Sequence, residues 1–293
     1  MTGSSWLEEV RRRVDDEWER RLPPADTAPK PLYEAMRYAL LAPGKRFRPA
    51  LVLAAARWIH LDPDDVLPAA LAVEMIHTYS LIHDDLPAMD DDALRRGRPT
   101  LHKAFSEDVA ILVGDALQPM AFGLLTECRA DGARLVQAVR VLAQAVGPAG
   151  LVGGQVRDLH RSPSLSDEAD AESELLQLHA EKTGALITAA AVLPAVLAGD
   201  DKARVCLEAY GRALGLAFQI TDDMLDVAGS QLLMGKATGR DQRQGKATFV
   251  SLQGIEGARH AAQRERDAAL SQVDGPSADA LHALATFVVD RDH

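Results

Sequence analysis

The chain is poor in cysteine and in aromatic residues. It has 2 cysteines, Cys128 and Cys206, among 293 residues, and only 4% Phe, Trp and Tyr. Two thiols cannot staple a chain of this length and neither sits at a metal-ligand spacing, so a disulfide framework and a thiolate metal site are excluded. A reducing, cytoplasmic setting fits. With 47% hydrophobic residues, prominently Ala and Leu, the scarcity of aromatics argues for closely packed helices rather than a strand-rich core. Basic charge is also in the minority: 32 Lys and Arg face 43 Asp and Glu, a net charge of -11 that argues against a general nucleic-acid partner. The longest nearly uncharged stretch runs only from Ala185 to Gly199, short of the roughly 20 residues that span a bilayer, so no transmembrane segment is expected. Residues up to Arg21 lack the apolar segment of a secretory signal. No fixed-period repeat and no linker-like composition divides the chain, which favours a single domain over residues 1-293.

Breakers cut the sequence into helix-length pieces: Pro23-Pro24, Pro43-Gly44, Asp62-Pro63, Pro87, Arg98-Pro99, Gly147-Pro148, Gly153-Gly154, Ser162-Pro163, Gly199-Asp200 and Gly275-Pro276. Between Ala69 and His83, apolar side chains crowd more than one face, as in a helix enclosed by others. Ser166-Asp167 offers a helix start. The stretch from Ala228 to Thr248, Gly-rich, polar and basic, reads as a loop over a site.

What the chain does have is carboxylate in two concentrated clusters. Asp84, Asp85, Asp90, Asp91 and Asp92 form the first; Asp222, Asp223 and Asp226 form the second. Each borders apolar residues such as Leu81, Ile82, Leu86, Ile220 and Leu225, where mutual repulsion and desolvation are costly unless a cation neutralises them. Oxygen-only ligands suit a hard ion such as Mg²⁺, which takes further ligands from substrate phosphates. On a helix Asp222 and Asp226 share a face and Asp223 turns aside. In the first cluster Pro87 ends the regular helix, so Asp90 can fold back beside Asp84.

Basic residues recur beside these clusters: Lys45, Arg46 and Arg48, then Arg95 and Arg96, then Lys236 and Lys246. Arg forks and mobile Lys charges suit phosphate oxygens, and two diphosphates, one metal-bound and one held by Arg and Lys, would use the whole set. His77 and the His83-Asp84 pair raise a competing class, a helical metal-dependent phosphohydrolase, but that chemistry does not require the second cluster. A noncatalytic partner subunit is a third reading, disfavoured by the intact Asp and Lys sets.

Together these residues resemble the trans-prenyltransferases, or polyprenyl synthetases. The match runs from Gly44-Lys45-Arg46-Phe47-Arg48-Pro49 through Gly114-Asp115-Ala116-Leu117, Gly153-Gly154-Gln155, Lys182-Thr183-Gly184-Ala185 and Phe218-Gln219-Ile220-Thr221-Asp222-Asp223 to Gly245-Lys246-Ala247-Thr248. Terpene cyclases share the fold but normally carry one such Asp-rich motif. The resemblance implies an all-α, single-domain bundle around a central active-site cavity of the isoprenoid synthase type, normally a homodimer, with three Mg²⁺ ions. It implies that Asp84, Asp85 and Asp90 form the first metal motif and Asp222, Asp223 and Asp226 the second, with Asp222 and Asp226 the ligands there. Arg95, Lys182, Lys236 and Lys246 match groups around the allylic diphosphate. Lys45, Arg48, His77 and Arg96 match those holding isopentenyl diphosphate, and Thr183 and Gln219 lie near the reacting carbons; Arg46 has a weaker binding assignment.

Product length is expected to depend on the cavity floor. Tyr79 stands five residues before Asp84, about 7.5 Å back along a helix, beside the small Ser80. In similar bacterial enzymes an aromatic there, with the two-residue expansion near Pro87-Ala88, resembles the farnesyl diphosphate synthase type. The expectation is therefore farnesyl diphosphate made from isopentenyl diphosphate with dimethylallyl and geranyl diphosphate, the alternatives being geranylgeranyl or geranyl diphosphate. Two departures stand out: Ala42-Pro43-Gly44 replaces the commoner Gly-Gly before Lys45, and residues Ser230 to Met234 are less polar than expected.

Overall fold

The structure, a computed structural model, describes residues 2–160, 168–232 and 248–291. Thirteen α-helices make up the described fold. They are α1 (Gly3–Arg21), α2 (Lys30–Leu40), α3 (Phe47–Trp58), α4 (Pro63–Asp84), α5 (Leu101–Ala104), α6 (Glu107–Leu125) and α7 (Gly132–Val146), then α8 (Leu151–Leu159), α9 (Glu168–His179), α10 (Ala185–Ala198), α11 (Asp201–Leu232), α12 (Phe249–Leu270) and α13 (Asp279–Asp290). A π-helical turn, Ala180–Gly184, joins α9 to α10. The only strands among the described residues form a hairpin of β1 (Leu94–Arg95) and β2 (Arg98–Pro99).

Helix α4 is the centre of the bundle. Asp62 caps it through the Asp64 N–H at 3.0 Å, Pro63 starts it without wasting a donor, and it is buried nearly continuously from Val66 to Ile82. It packs on α3 and α6; α10 packs on α3, α7 and α11, and α11 on α12. A continuous apolar core occupies the inside of this arrangement, and a smaller cluster of Leu175, Ile220, Phe249, Ala258, Ala261 and Ala262 underlies the second carboxylate motif.

Most sequence breakers mark helix ends, but Gly153-Gly154 lies inside α8. The reason is close approach: a Cβ on Gly154 would stand 2.3 Å from the Lys182 amide nitrogen. Helix α11 continues to Leu232, so the first part of the stretch read as a loop from Ala228 is helical; 233–247 lie outside the described residues, as do Ser166 and Asp167. By length and composition four helical stretches could cross a bilayer: Pro63–Asp84, Glu107–Leu125, Gly132–Leu159 and Ala171–Ala198. The uncharged run counted in sequence is shorter than the helical stretches because scattered charges interrupt it. Pro63–Asp84 and Ala171–Ala198 are 72% and 67% buried inside the bundle.

Candidate active site

The first motif folds as the position of Pro87 requires. Helix α4 ends at Asp84, and the chain turns back so that the Asp90 N–H donates to the Asp84 carbonyl at 2.8 Å and the Asp92 N–H to that of Asp85 at 3.2 Å. Burial pushes the Asp84 carboxyl up to about 6; Lys182 and Arg95 oppose the shift, while Asp90 and Asp85 add to it. Asp85 is buried and forked by Arg95, with Nε at 3.0 Å from both oxygens and Nη2 at 2.7 Å from Oδ1. The hairpin explains how adjacent arginines serve different places. Arg96 (φ 52) and Gly97 (φ 75) supply the two left-handed residues of its tight turn, so Arg95 faces Asp85 while Arg96 donates to the Pro43 carbonyl at 2.8 Å. Arg96 lies close to Gly44: a Cβ there would stand 2.7 Å from its Nη1. A cavity of about 90 Å³ between these groups is lined by Arg46, Glu74, His77, Asp85, Arg95 and Arg96 among others.

The residues of the Gly-Lys-Arg segment divide in role. Arg46, in the left-handed region at φ 50, is buried and satisfied: Nη1 lies 3.0 Å from Glu74, Nε 2.9 Å from Asp15, and Nη2 reaches the Leu40 and Ala42 carbonyls at 2.7 and 3.1 Å. It is a strut that fixes the segment, consistent with its weaker binding assignment. Lys45 is exposed and stands over the Phe287 ring, 5.4 Å from its centroid. Arg48 has a buried Nε without a partner among the described residues, and burial lowers its pKa to about 10. His77 is held neutral: burial, then Arg48, Arg96, Arg95 and Arg46, lower its pKa well below the imidazole range.

In the second motif, α11 presents Asp222 into the site, and burial raises its carboxyl to about 6, with Asp226 adding to the shift and Arg291, Arg48 and Lys45 opposing it. Forty per cent of the Asp222 side chain stays open. Asp223 turns aside, as the helical spacing requires, and is 5% exposed. It accepts from the Phe249 N–H at 3.0 Å and from Gln219 Nε2 at 3.3 Å, while Gln219 Oε1 accepts from the Thr183 hydroxyl at 2.8 Å. This relay runs from the π turn through α11 to the start of α12, whose own N-cap is Thr248. Asp223 thus ties α11 to the start of α12 behind the site. Lys182, on the same turn, donates to Asp158 at 2.6 Å, a partner the sequence did not point to. Lys236 and Lys246 lie outside the described residues.

At the proposed floor Tyr79 is 4% exposed, its hydroxyl buried without a hydrogen bond among the described residues and its pKa raised to about 12 by burial and then Asp84. The ring meets His83 edge-on at 5.8 Å. His83 turns its Nε2 to the Ile111 carbonyl, 3.1 Å away, rather than joining Asp84 as a metal pair, which removes the feature that suggested a phosphohydrolase. Ser80 donates to the His77 carbonyl at 2.9 Å.

Sequence reasoning missed Arg291, just past α13. Its Nη2 contacts Asp222 Oδ1 at 2.6 Å and the Phe218 carbonyl at 2.9 Å, and its guanidinium lies 3.9 Å over the Phe218 ring. A lone arginine among charged terminal residues carries no signal of such a contact.

The donor set fits a hard divalent cation: buried carboxylates with raised pKa values at Asp84 and Asp222 gain when a cation offsets their charge. Among the described residues no three His, Cys, Asp or Glu side chains form a self-sufficient metal cage. That agrees with an ion that draws part of its shell from substrate phosphates.

Residues 29–286 match the polyprenyl synthetase family model. Geranylgeranyl pyrophosphate synthase 11, chloroplastic, of Arabidopsis thaliana is 45% identical over 271 residues, covering 90% of this chain and 75% of the relative. A chloroplastic geranylgeranyl pyrophosphate synthase of Capsicum annuum is 44% identical over 272 residues, 90% of this chain and 73% of its own. Among solved structures, an apo FPP/GFPP synthase from Zymomonas mobilis superposes with a TM-score of 0.86 at 39% identity, covering 98% of each chain. A geranyltransferase from Legionella pneumophila gives 0.85 at 34% identity, covering 99% of this chain and 97% of that one. With its all-α bundle and its two carboxylate motifs, the chain belongs to the polyprenyl synthetase family and is a trans-prenyltransferase of the isoprenoid synthase fold, in a family that uses Mg²⁺.

Proposed function

We propose that the chain condenses isopentenyl diphosphate with allylic diphosphates to make a short-chain product, with geranylgeranyl diphosphate as the end point. The observation that carries the condensation is the pairing of two partly buried acidic motifs with separate cationic groups: Lys182 and Arg95 at the first, Lys45 and Arg48 at the second, with Arg96 beside Lys45 and Arg48. The geranylgeranyl end point is supported by the printed names of the sequence relatives. A second reading, farnesyl diphosphate, is favoured by one observation, the buried Tyr79 ring below Asp84.

Asp84, Asp85, Asp90, Asp222 and Asp226 would hold Mg²⁺, three ions on the family pattern; when bound, that charge stabilises diphosphate as a leaving group. Lys182 and Arg95, with Lys236 and Lys246, orient the allylic diphosphate so that its C–O bond breaks to a delocalised carbocation. Lys45, Arg48 and Arg96, beside a neutral His77, hold isopentenyl diphosphate with its double bond facing that carbon. Thr183 and Gln219 present polar atoms there, fixed in one orientation by their mutual hydrogen bond. The new C–C bond forms and a proton leaves, the departing diphosphate being its acceptor. Apolar walls exclude the water that would quench the cation. In this reading the enzyme works in the cytoplasm as a homodimer of single-domain subunits.

The test is incubation of the purified chain with Mg²⁺, isopentenyl diphosphate and dimethylallyl or geranyl diphosphate, followed by identification of the prenyl alcohols released by phosphatase. Geranylgeraniol supports the first reading and farnesol the second; diphosphate release that does not require both substrates rejects condensation. Tyr79→Ala is expected to lengthen the product, and an unchanged distribution removes Tyr79 as the floor. Sedimentation of the pure protein at the mass of one chain rejects the dimer.

A further inference from the structure

The cation seated on the second carboxylate motif in this structure comes from the protein itself. Arg291 follows the last residue of α13 in an extended conformation, φ -71 and ψ 138, and its side chain is only 7% exposed. Three contacts hold the guanidinium: Asp222 Oδ1 at 2.6 Å, the Phe218 carbonyl at 2.9 Å, and the Phe218 ring 3.9 Å beneath it. Helix α13 is tied to the same region a second time, because Phe287 lies under the Lys45 ammonium. The guanidinium at 2.6 Å from Oδ1 occupies one approach to the Asp222 carboxylate, and a divalent cation drawn to the same carboxylate is repelled by the positive charge already beside it.

We propose that Arg291 is a resident counter-ion of the second motif, displaced when a divalent cation binds Asp222, so that metal loading releases the C-terminal residues from α11. This rests on the assignment of Asp222 as a metal ligand. In this structure Arg291 sets a positive charge against the partly open Asp222 carboxylate and holds it in one orientation. On loading, the guanidinium gives up that contact and residue 291 loses its tie to α11.

The experiment titrates Mn²⁺ into the full chain in the presence of inorganic diphosphate, by calorimetry and by electron paramagnetic resonance, for wild type, R291Q, R291K and D222N. R291Q is expected to bind Mn²⁺ at least about five-fold more tightly than wild type, the lower end of typical site-to-site coupling. R291K, which keeps the charge but loses the fork and the ring contact, is expected to fall between. In the wild type, Mn²⁺ is expected to raise amide exchange in the C-terminal peptide from residue 284 onward. Equal or weaker Mn²⁺ binding by R291Q, or exchange unmoved by Mn²⁺, overturns the displacement while leaving the metal assignment standing. Wild-type Mn²⁺ binding retained in D222N overturns the metal assignment and the displacement with it.

Discussion

Replacing Glu74 by Gln removes the buried charge that Arg46 faces 3.0 Å away in the middle of the bundle. Stripping one partner from a buried ion pair generally costs about 3–5 kcal/mol because the other charge is left uncompensated. Here the loss is smaller, since Asp15 and the Leu40 and Ala42 carbonyls still receive the guanidinium and the Gln oxygen can accept one bond. A cost of about 2 kcal/mol remains, equivalent to a fall of about 3 °C in Tm for a chain of 293 residues with an unfolding entropy of about 2.1 cal/mol/K per residue. The effect should also reach the site. Arg46 occupies a left-handed conformation that typically costs a non-glycine residue about 1–3 kcal/mol and persists only while its surroundings enforce it. With the restraint weakened, the segment presenting Lys45 and Arg48 loosens, and KM for isopentenyl diphosphate should rise several-fold while KM for the allylic substrate stays put. Thermal melts and steady-state kinetics on the same preparation test both halves. A melting point within about 1 °C of wild type, or equal rises in both KM values, would refute the reasoning.

Asp84→Ala and Asp222→Ala should each fold, as judged by an unchanged circular dichroism spectrum, and lose most turnover; near-wild-type rates at saturating substrates would sink the metal assignment. The pH response follows from the carboxyl groups of Asp84 and Asp222, raised by burial from 3.8 to about 6. Their raised values contribute stability that is fully present below pH 4 and lost as pH rises through about 6, where a bound cation compensates. The rise in Tm caused by Mg²⁺ should therefore be small at pH 5 and complete near pH 7; a pH-independent increment would contradict this. Gly154→Ala would drive a Cβ to 2.3 Å from the Lys182 nitrogen and 2.6 Å from its Cα, and backbone cannot yield as a side chain does. Destabilisation of about 1–3 kcal/mol is expected in denaturant titrations, with a loss of kcat that exceeds any change in KM.

The legible part of the site was the part written locally. Asp222 and Asp226 on one face with Asp223 aside follows from helical geometry alone, and Asp223 indeed turns to the Phe249 amide. The return of Asp90 to Asp84 follows from Pro87 blocking the helix. What stayed hidden depends on partners far along the chain. Arg46 reads as one more phosphate-binding cation until Glu74 and Asp15 are seen around it, and Arg291 reads as a solvated terminus until Phe218 is seen beneath it. The glycine pair in α8 was taken for a breaker because a close backbone approach leaves no periodic trace. Product length lies at the same limit: Tyr79 argues for a short chain, while the relatives at 45% and 44% identity carry geranylgeranyl names.

The relay from Thr183 through Gln219 and Asp223 to the Phe249 amide also constrains how this sequence can drift. Three positions from the π turn and α11 share one set of donors and acceptors, so an exchange at Gln219 alone takes the acceptor from Thr183 and one of the donors from Asp223 at once. Changes there are non-additive, and a viable replacement has to arrive as a set. A library that randomises the three side chains together should recover active combinations whose single-step intermediates are all inactive, an isolated island in sequence space rather than a slope leading away from the parent.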